Sequence, residues 1–143
     1  MFLPILDLHT FKDKKLFRNK KCVFVGKGKD EGLHPKDCIP IDRKLAEDQD
    51  VLADLLNNCE VVYSYDPVSA MTEIARLCGC RVVMLQKTYT KSQYREYEPG
   101  LNGMSFGLDE EVPLDSEGFR DNYSLLRKRF NEKLSYFIED TQK

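Results

Sequence analysis

Short apolar runs and one long amphipathic stretch divide the chain. CVFVG at 22–26 is a compact apolar run ending in glycine and predicts a strand. CIPI at 38–41 predicts a second, and the intervening GKGKDEGLHPKD is too short and broken for a full crossover helix. Leu45, Val51, Leu52, Leu55 and Leu56 recur on one side of a helix over 45–57. VVYSY at 61–65 is a β-branched and aromatic strand. Asp66 and Pro67 then suit the N-cap and first position of a helix with Ala70, Met71, Ile74, Ala75, Leu77 and Cys78 on its buried side, stopped by Gly79. RVVML at 81–85 is the next strand. Strand, tight turn, helix, glycine and strand over 60–85 make one βαβ unit, so the sheet is expected to be parallel with a right-handed crossover. Continuous apolar strands further predict a sheet covered on both faces.

Residues 86–116 show no long periodic element and read as a loop region. Phe119, Tyr123, Leu126, Phe130, Leu134, Phe137 and Ile138 recur at 3–4 spacing, which predicts an amphipathic helix over 117–139 docked along its whole stripe. There is no internal repeat and no low-complexity tract.

Composition narrows the function classes. A chain of 143 residues suits one domain, and 41% hydrophobic with 32% charged residues suits a soluble globule. A net charge of -2 argues against a dedicated nucleic-acid binder of the basic-domain type. No apolar run approaches the ~18 residues that span a bilayer. The apolar opening MFLPILDL is short and followed by lysines, unlike a signal peptide. Cys22, Cys38, Cys59, Cys78 and Cys80 are odd in number and scattered, so they make no disulfide framework. Cys78-x-Cys80 lacks zinc-ribbon spacing, and only His9 and His34 could complete a site, so no metal is expected. These thiols are expected to be buried, as small hydrophobes in a reducing cytoplasm. Eight basic residues between Lys12 and Lys29 read as a solvated surface.

In parallel sheets, ligands bind beyond the carboxyl ends of strands. Two loops have that character. Gly26-Lys27-Gly28-Lys29 follows the first strand; its glycines let backbone approach a ligand and its lysines supply charge for phosphate. It is neither a Walker A sequence nor a GxGxxG fingerprint, and a glycine turn with solvated lysines looks the same. Tyr65-Asp66-Pro67-Val68-Ser69-Ala70 leads into the βαβ helix, whose first amides and dipole favour an anion, with Ser69 and Thr72 adding hydroxyls. Glu73 lies a turn further in. A carboxylate there suits sugar hydroxyls; the alternatives are an exposed helix residue or a partner of Arg76.

The segment YSYDPVSAMTEIARLCGCRVVML resembles the nucleotide-sugar-binding core of the C-terminal domain of GT-B glycosyltransferases, with Glu73, Ala75, Cys78, Gly79, Val82 and Val83 at matching positions. VFVGKGKDEG resembles that family's first strand and Gly-Arg/Lys loop, and FLPILDLHTF its entry from the interdomain linker. YEPGLNGMSFG and FRDNYSLLRKRFNEKL resemble its late glycine loop and closing helix. The chain departs from the pattern at Tyr65 and Asp66, where the family has the first of its paired glutamates, and at Arg81, where it often has proline.

The resemblance implies a single Rossmann-like α/β domain over 1–143, mainly parallel and flanked by helices. It would be the C-terminal, donor-binding half of a glycosyltransferase. Its ligand would be a nucleotide-diphosphate sugar, with no further cofactor and no metal. Lys27, with Lys29 and the Gly26 and Gly28 backbone, would meet the diphosphate; the Ser69 and Ala70 amides would hold it, and Glu73 would take the ribose. The partners implied are a glycan or other acceptor and a missing N-terminal domain that would supply any catalytic base. That leaves His9 and His34 out of the chemistry, with His34 expected at the surface. The enzyme would be cytoplasmic, at the inner face of the membrane in its full-length form. The alternative is a non-catalytic α/β binding or interaction module of receiver or flavodoxin type. VFVGKG lacks the acids of the first and the Ser/Thr-rich phosphate loop of the second. In a third, structural reading the lysine stretch is a protein or membrane-surface contact.

Overall fold

The computed structural model describes residues 6–67, 69–95 and 100–142, with side chains omitted at 95 and from 136 onward. The elements in chain order are β1 (Lys20–Phe24), β2 (Ile39–Pro40), α1 (Arg43–Glu47), α2 (Gln49–Asn57), β3 (Cys59–Ser64), α3 (Met71–Leu77), β4 (Arg81–Met84), α4 (Lys91–Arg95), β5 (Met104–Phe106) and α5 (Ser116–Gln142). The five strands form one all-parallel sheet in the order β2-β1-β3-β4-β5. The expected Rossmann-like α/β architecture is therefore present, and β3-α3-β4 is its βαβ unit.

Alternation along each strand sends side chains to two faces. Cys22, Val62, Val82 and Met84 meet Leu52 and Leu56 of α2, Met71 and Ala75 of α3, and Phe119 and Tyr123 of α5 in the main core. On the other face Val23, Val61, Tyr63, Val83 and Leu85 pack with one another and with Val25 and Cys38. None of the described helices contributes to that second cluster, which is made of residues of the strands and their carboxyl ends with Cys38 of the loop before β2, so among the described residues helices cover the main-core face alone. The thiols behave as anticipated. Four of the five are buried, and burial pushes the Cys78 thiol up to about 12, which keeps it protonated.

Several boundaries differ from the sequence reading. The helix over 45–57 is two helices, because the Asp48 side chain accepts from the Val51 amide and caps α2 while its own amide closes α1 on Leu45. The loop region 86–116 contains α4 and β5, both too short to show a period. Among the described side chains of α5, those of the first turns dock: Phe119, Tyr123 and Leu126 are buried and Phe130 half-buried, whereas residues 131–135 are exposed. Phe137 and Ile138 lie outside the described side chains, as do Val68, residues 2–5 of the opening and 96–99 of the late glycine loop. Among the described residues, no helix is long and apolar enough to cross a membrane.

Candidate functional site

The chain leaves β1 toward β2 on one side and continues from β3 toward β4 on the other, so the order reverses between β1 and β3. Crevices in open parallel sheets form at such a reversal, beyond the carboxyl ends. Both loops singled out from the sequence lie there, in contact with each other. The Lys27 amide donates to Asp66 Oδ2 at 3.0 Å, and the Gly28 amide closes a turn on the Val25 carbonyl at 2.8 Å. Gly26 has a φ of +54°, and a Cβ there would stand 2.2 Å from Asp66 Oδ2; one on Gly28 would stand 1.9 Å from the Tyr65 carbonyl oxygen. The glycines thus admit the second loop against the first, a closer neighbour than any ligand. The Lys27 and Lys29 side chains stay exposed beside this junction.

The helix expected from Asp66 starts later. The N-cap of α3 is Ala70, which makes no side-chain cap, and the Met71 amide is held by Ser69 Oγ at 3.1 Å. Asp66 lies ahead of that N-cap, and its carboxylate accepts from the Lys27 amide. Ser69 is half-buried and Ala70 exposed. Glu73 is half-buried, with Oε2 3.0 Å from the Thr72 hydroxyl. Arg76 is no surface partner for it. Arg76 turns inward, donating to the carbonyls of Thr72, Gly100 and Asn102, with its guanidinium 4.4 Å from the Phe119 ring centroid. Burial pulls its pKa down to about 10 while Glu73 holds it up, so it remains charged.

Two groups escaped the sequence reading. Tyr94 of α4 donates its hydroxyl to the Pro67 carbonyl and packs on Phe106 at 5.4 Å, walling the site on the β5 side. Burial, with the negative charge of Asp66 nearby, raises its pKa to about 12 and keeps it a neutral donor. The sequence did carry a signal for α4: Thr90 and Gln93 exchange side-chain bonds with each other's amides, a capping box readable as T-x-x-Q. The second group is His34, expected at the surface and found half-buried. The Tyr65 hydroxyl accepts from the Leu33 and His34 amides at 2.8 and 3.2 Å and lies 2.8 Å from His34 Nδ1. With two amides already aimed at its oxygen, the phenol proton is free to face Nδ1, which favours the Nε2–H tautomer, while Asp30 Oδ1 stands 3.7 Å from the same nitrogen. A Lys87–Glu31 ion pair at 3.1 Å fastens the same loop to the chain beyond β4.

A cleft of about 470 Å³ opens at the amino end of the sheet between Arg18, Glu60, Arg81 and Glu111, where the two arginines are already paired with Asp13 and Glu111. Among the described residues no group of three or more His, Cys, Asp or Glu is arranged to hold a metal ion. Comparison with protein-family models, curated proteins and solved structures gives no match.

Proposed function

We propose that this chain is the donor-binding half of a glycosyltransferase, holding a nucleotide-diphosphate sugar at the reversal between β1 and β3 and acting with a second domain that carries the acceptor. The observation that supports it is the junction itself. A lysine-bearing loop after β1 and the loop that opens α3 meet at the switch point, bound through Lys27 and Asp66.

In this reading Lys27 and Lys29 neutralise the diphosphate and offset the buried Asp66 carboxylate, whose task is to fix the loop. Ser69 and Ala70 lie where the phosphates approach α3. Glu73, already an acceptor for Thr72, takes the ribose hydroxyls, and Tyr94 excludes water from one side. Lysines and oriented amides then meet the diphosphate charge electrostatically. The chain alone binds donor without transferring the sugar.

The sheet order is also that of flavodoxin-type domains, so FMN is the informative competitor. Calorimetry with UDP, GDP, dTDP, FMN and pyrophosphate tests the reading. At least one nucleoside diphosphate should bind, more weakly in Lys27→Ala and at raised salt. Glu73→Gln should weaken it about tenfold to a hundredfold, as lost hydrogen bonds to an ionised acceptor do, and leave pyrophosphate binding unharmed or improved. Binding of FMN alone overturns the transferase reading, and equal nucleotide affinity in Glu73→Gln removes Glu73 from the site.

A further inference from the structure

Residues 12–19, in no helix or strand, carry an apolar tip at the amino end of the sheet. Phe17 is 81% and Leu16 50% exposed, the first being the most exposed large hydrophobic of the described residues. The tip is held out by its own base. Arg18 Nη2 meets Asp13 Oδ1 at 2.6 Å and the Cys78 carbonyl at 2.6 Å, while Nη1 donates to the Leu56 and Cys59 carbonyls. Asp13 also accepts from the Lys15 amide at 2.8 Å and the Ser116 hydroxyl at 2.8 Å. Lys15 is the sole non-glycine among the described residues with a positive φ, at 56°. A fold that pins both sides of a loop and bends its backbone into a costly conformation, yet leaves a phenylalanine in water, has built a display rather than a slack connection.

The segment's own charge is one-sided, although Lys14 pairs with Asp54, Lys15 with Asp13 and Glu117, and Arg18 with Asp13. Within 12–21 stand six basic residues against the single acid Asp13, in a chain whose net charge is -2. Lys12 and Lys20 flank the tip, both exposed and in no ion pair among the described residues. The tip lies beside the starts of β3 and β4, at the opposite end of the sheet from the β1–β3 switch point, so an occupant here leaves that site open. Two adjacent apolar side chains with cations on either side match an anionic lipid surface, where phenylalanine and leucine enter the headgroup boundary and lysines meet lipid phosphates.

We propose that the Leu16–Phe17 tip and its lysines dock this chain onto anionic membrane surfaces. The proposal is independent of what the switch point binds. The sequence contains no tryptophan, so Phe17→Trp introduces a unique fluorophore at a position the core does not use. Its emission should shift to the blue, and be quenched by brominated acyl chains, with vesicles of phosphatidylcholine and phosphatidylglycerol but not of phosphatidylcholine alone. High salt should reverse the shift. In the same background Leu16→Ser should reduce partitioning, and Lys12→Gln and Lys20→Gln should each lower it about fivefold. Emission unchanged by anionic vesicles overturns the proposal. So does a blue shift that grows with protein concentration without lipid, which marks a second copy as the occupant. A shift with soluble polyglutamate and none with vesicles overturns it in favour of an acidic protein.

Discussion

At the amino end of the sheet, one guanidinium gathers Asp13 and the carbonyls of Leu56, Cys59 and Cys78, so a single side chain ties the first loop to the ends of α2 and α3 and to the start of β3. At the carboxyl end the corresponding work is divided between the Lys27 amide on Asp66, the Tyr65 hydroxyl under Leu33 and His34, and the Lys87–Glu31 pair. The first arrangement is concentrated and largely shielded, with Asp13 and Arg18 side chains only 15% and 16% exposed. The second is spread over individually modest bonds and leaves Lys27 and Lys29 in solvent. A concentrated buried clamp fixes geometry. A distributed one leaves its loops freer to adjust, since segments held by few modest bonds open locally more readily than a shielded core.

The largest effect is expected from Arg18→Met, which strands three carbonyls and the Asp13 carboxylate; breaking one partner of a shielded charge network costs about 3–5 kcal/mol. Urea unfolding should show it, and a loss under 1 kcal/mol would mean that the amino end is no more concentrated than the other.

Asp13→Asn should cost roughly 2 kcal/mol at neutral pH, as charge-assisted bonds are lost. Desolvation raises the Asp13 pKa, but the bonds from Lys15, Ser116 and Arg18 outweigh it and lower it from 3.8 to about 2. A carboxyl depressed on folding stabilises above its unfolded pKa, so this contribution is complete above about pH 4 and fades as pH falls toward 2. The stability gap between wild type and Asp13→Asn should therefore close over that window. A gap constant down to pH 2.5 would refute the assignment.

Gly28→Ala should destabilise by about 2 kcal/mol, because the new Cβ meets the Tyr65 backbone rather than a flexible side chain. Its melting shift should come with weaker nucleotide binding if the two loops form one site. The smallest effect is assigned to Tyr65→Phe, about 1 kcal/mol, since it removes one neutral hydroxyl from a shared arrangement. Its sharper readout is nitrogen NMR of His34, where the Nε2–H tautomer should cease to dominate. An unchanged tautomer would show that Tyr65 does not set it.

Much of this molecule is legible in its sequence. The apolar runs at 22–26, 61–65 and 81–85 mark β1, β3 and β4 to within a few residues, because a strand buried on both faces must be continuously apolar. The βαβ unit and the early docked turns of α5 follow from local periodicity in the same way. The candidate loops were visible too, as glycines and lysines after one strand and a helix entry after another.

Other features depend on contacts between segments distant in sequence. Asp66 has the sequence context of an N-cap and holds a loop 39 residues upstream, while α3 has its N-cap at Ala70. Arg76 has the spacing of a surface partner for Glu73 but fills the space between α3 and Phe119 with its charge satisfied by carbonyls. His34 reads as a loop residue until Tyr65 is placed beneath it. The sequence by itself determined the longer elements, β1, β3, β4 and the helices around them, since those depend on apolar spacing along a single stretch, whereas α4 and β5 are too short to carry such spacing. Only the tertiary structure decided which polar groups meet, since a carboxylate, guanidinium or imidazole takes whichever donor or acceptor the packed elements bring within about 3 Å.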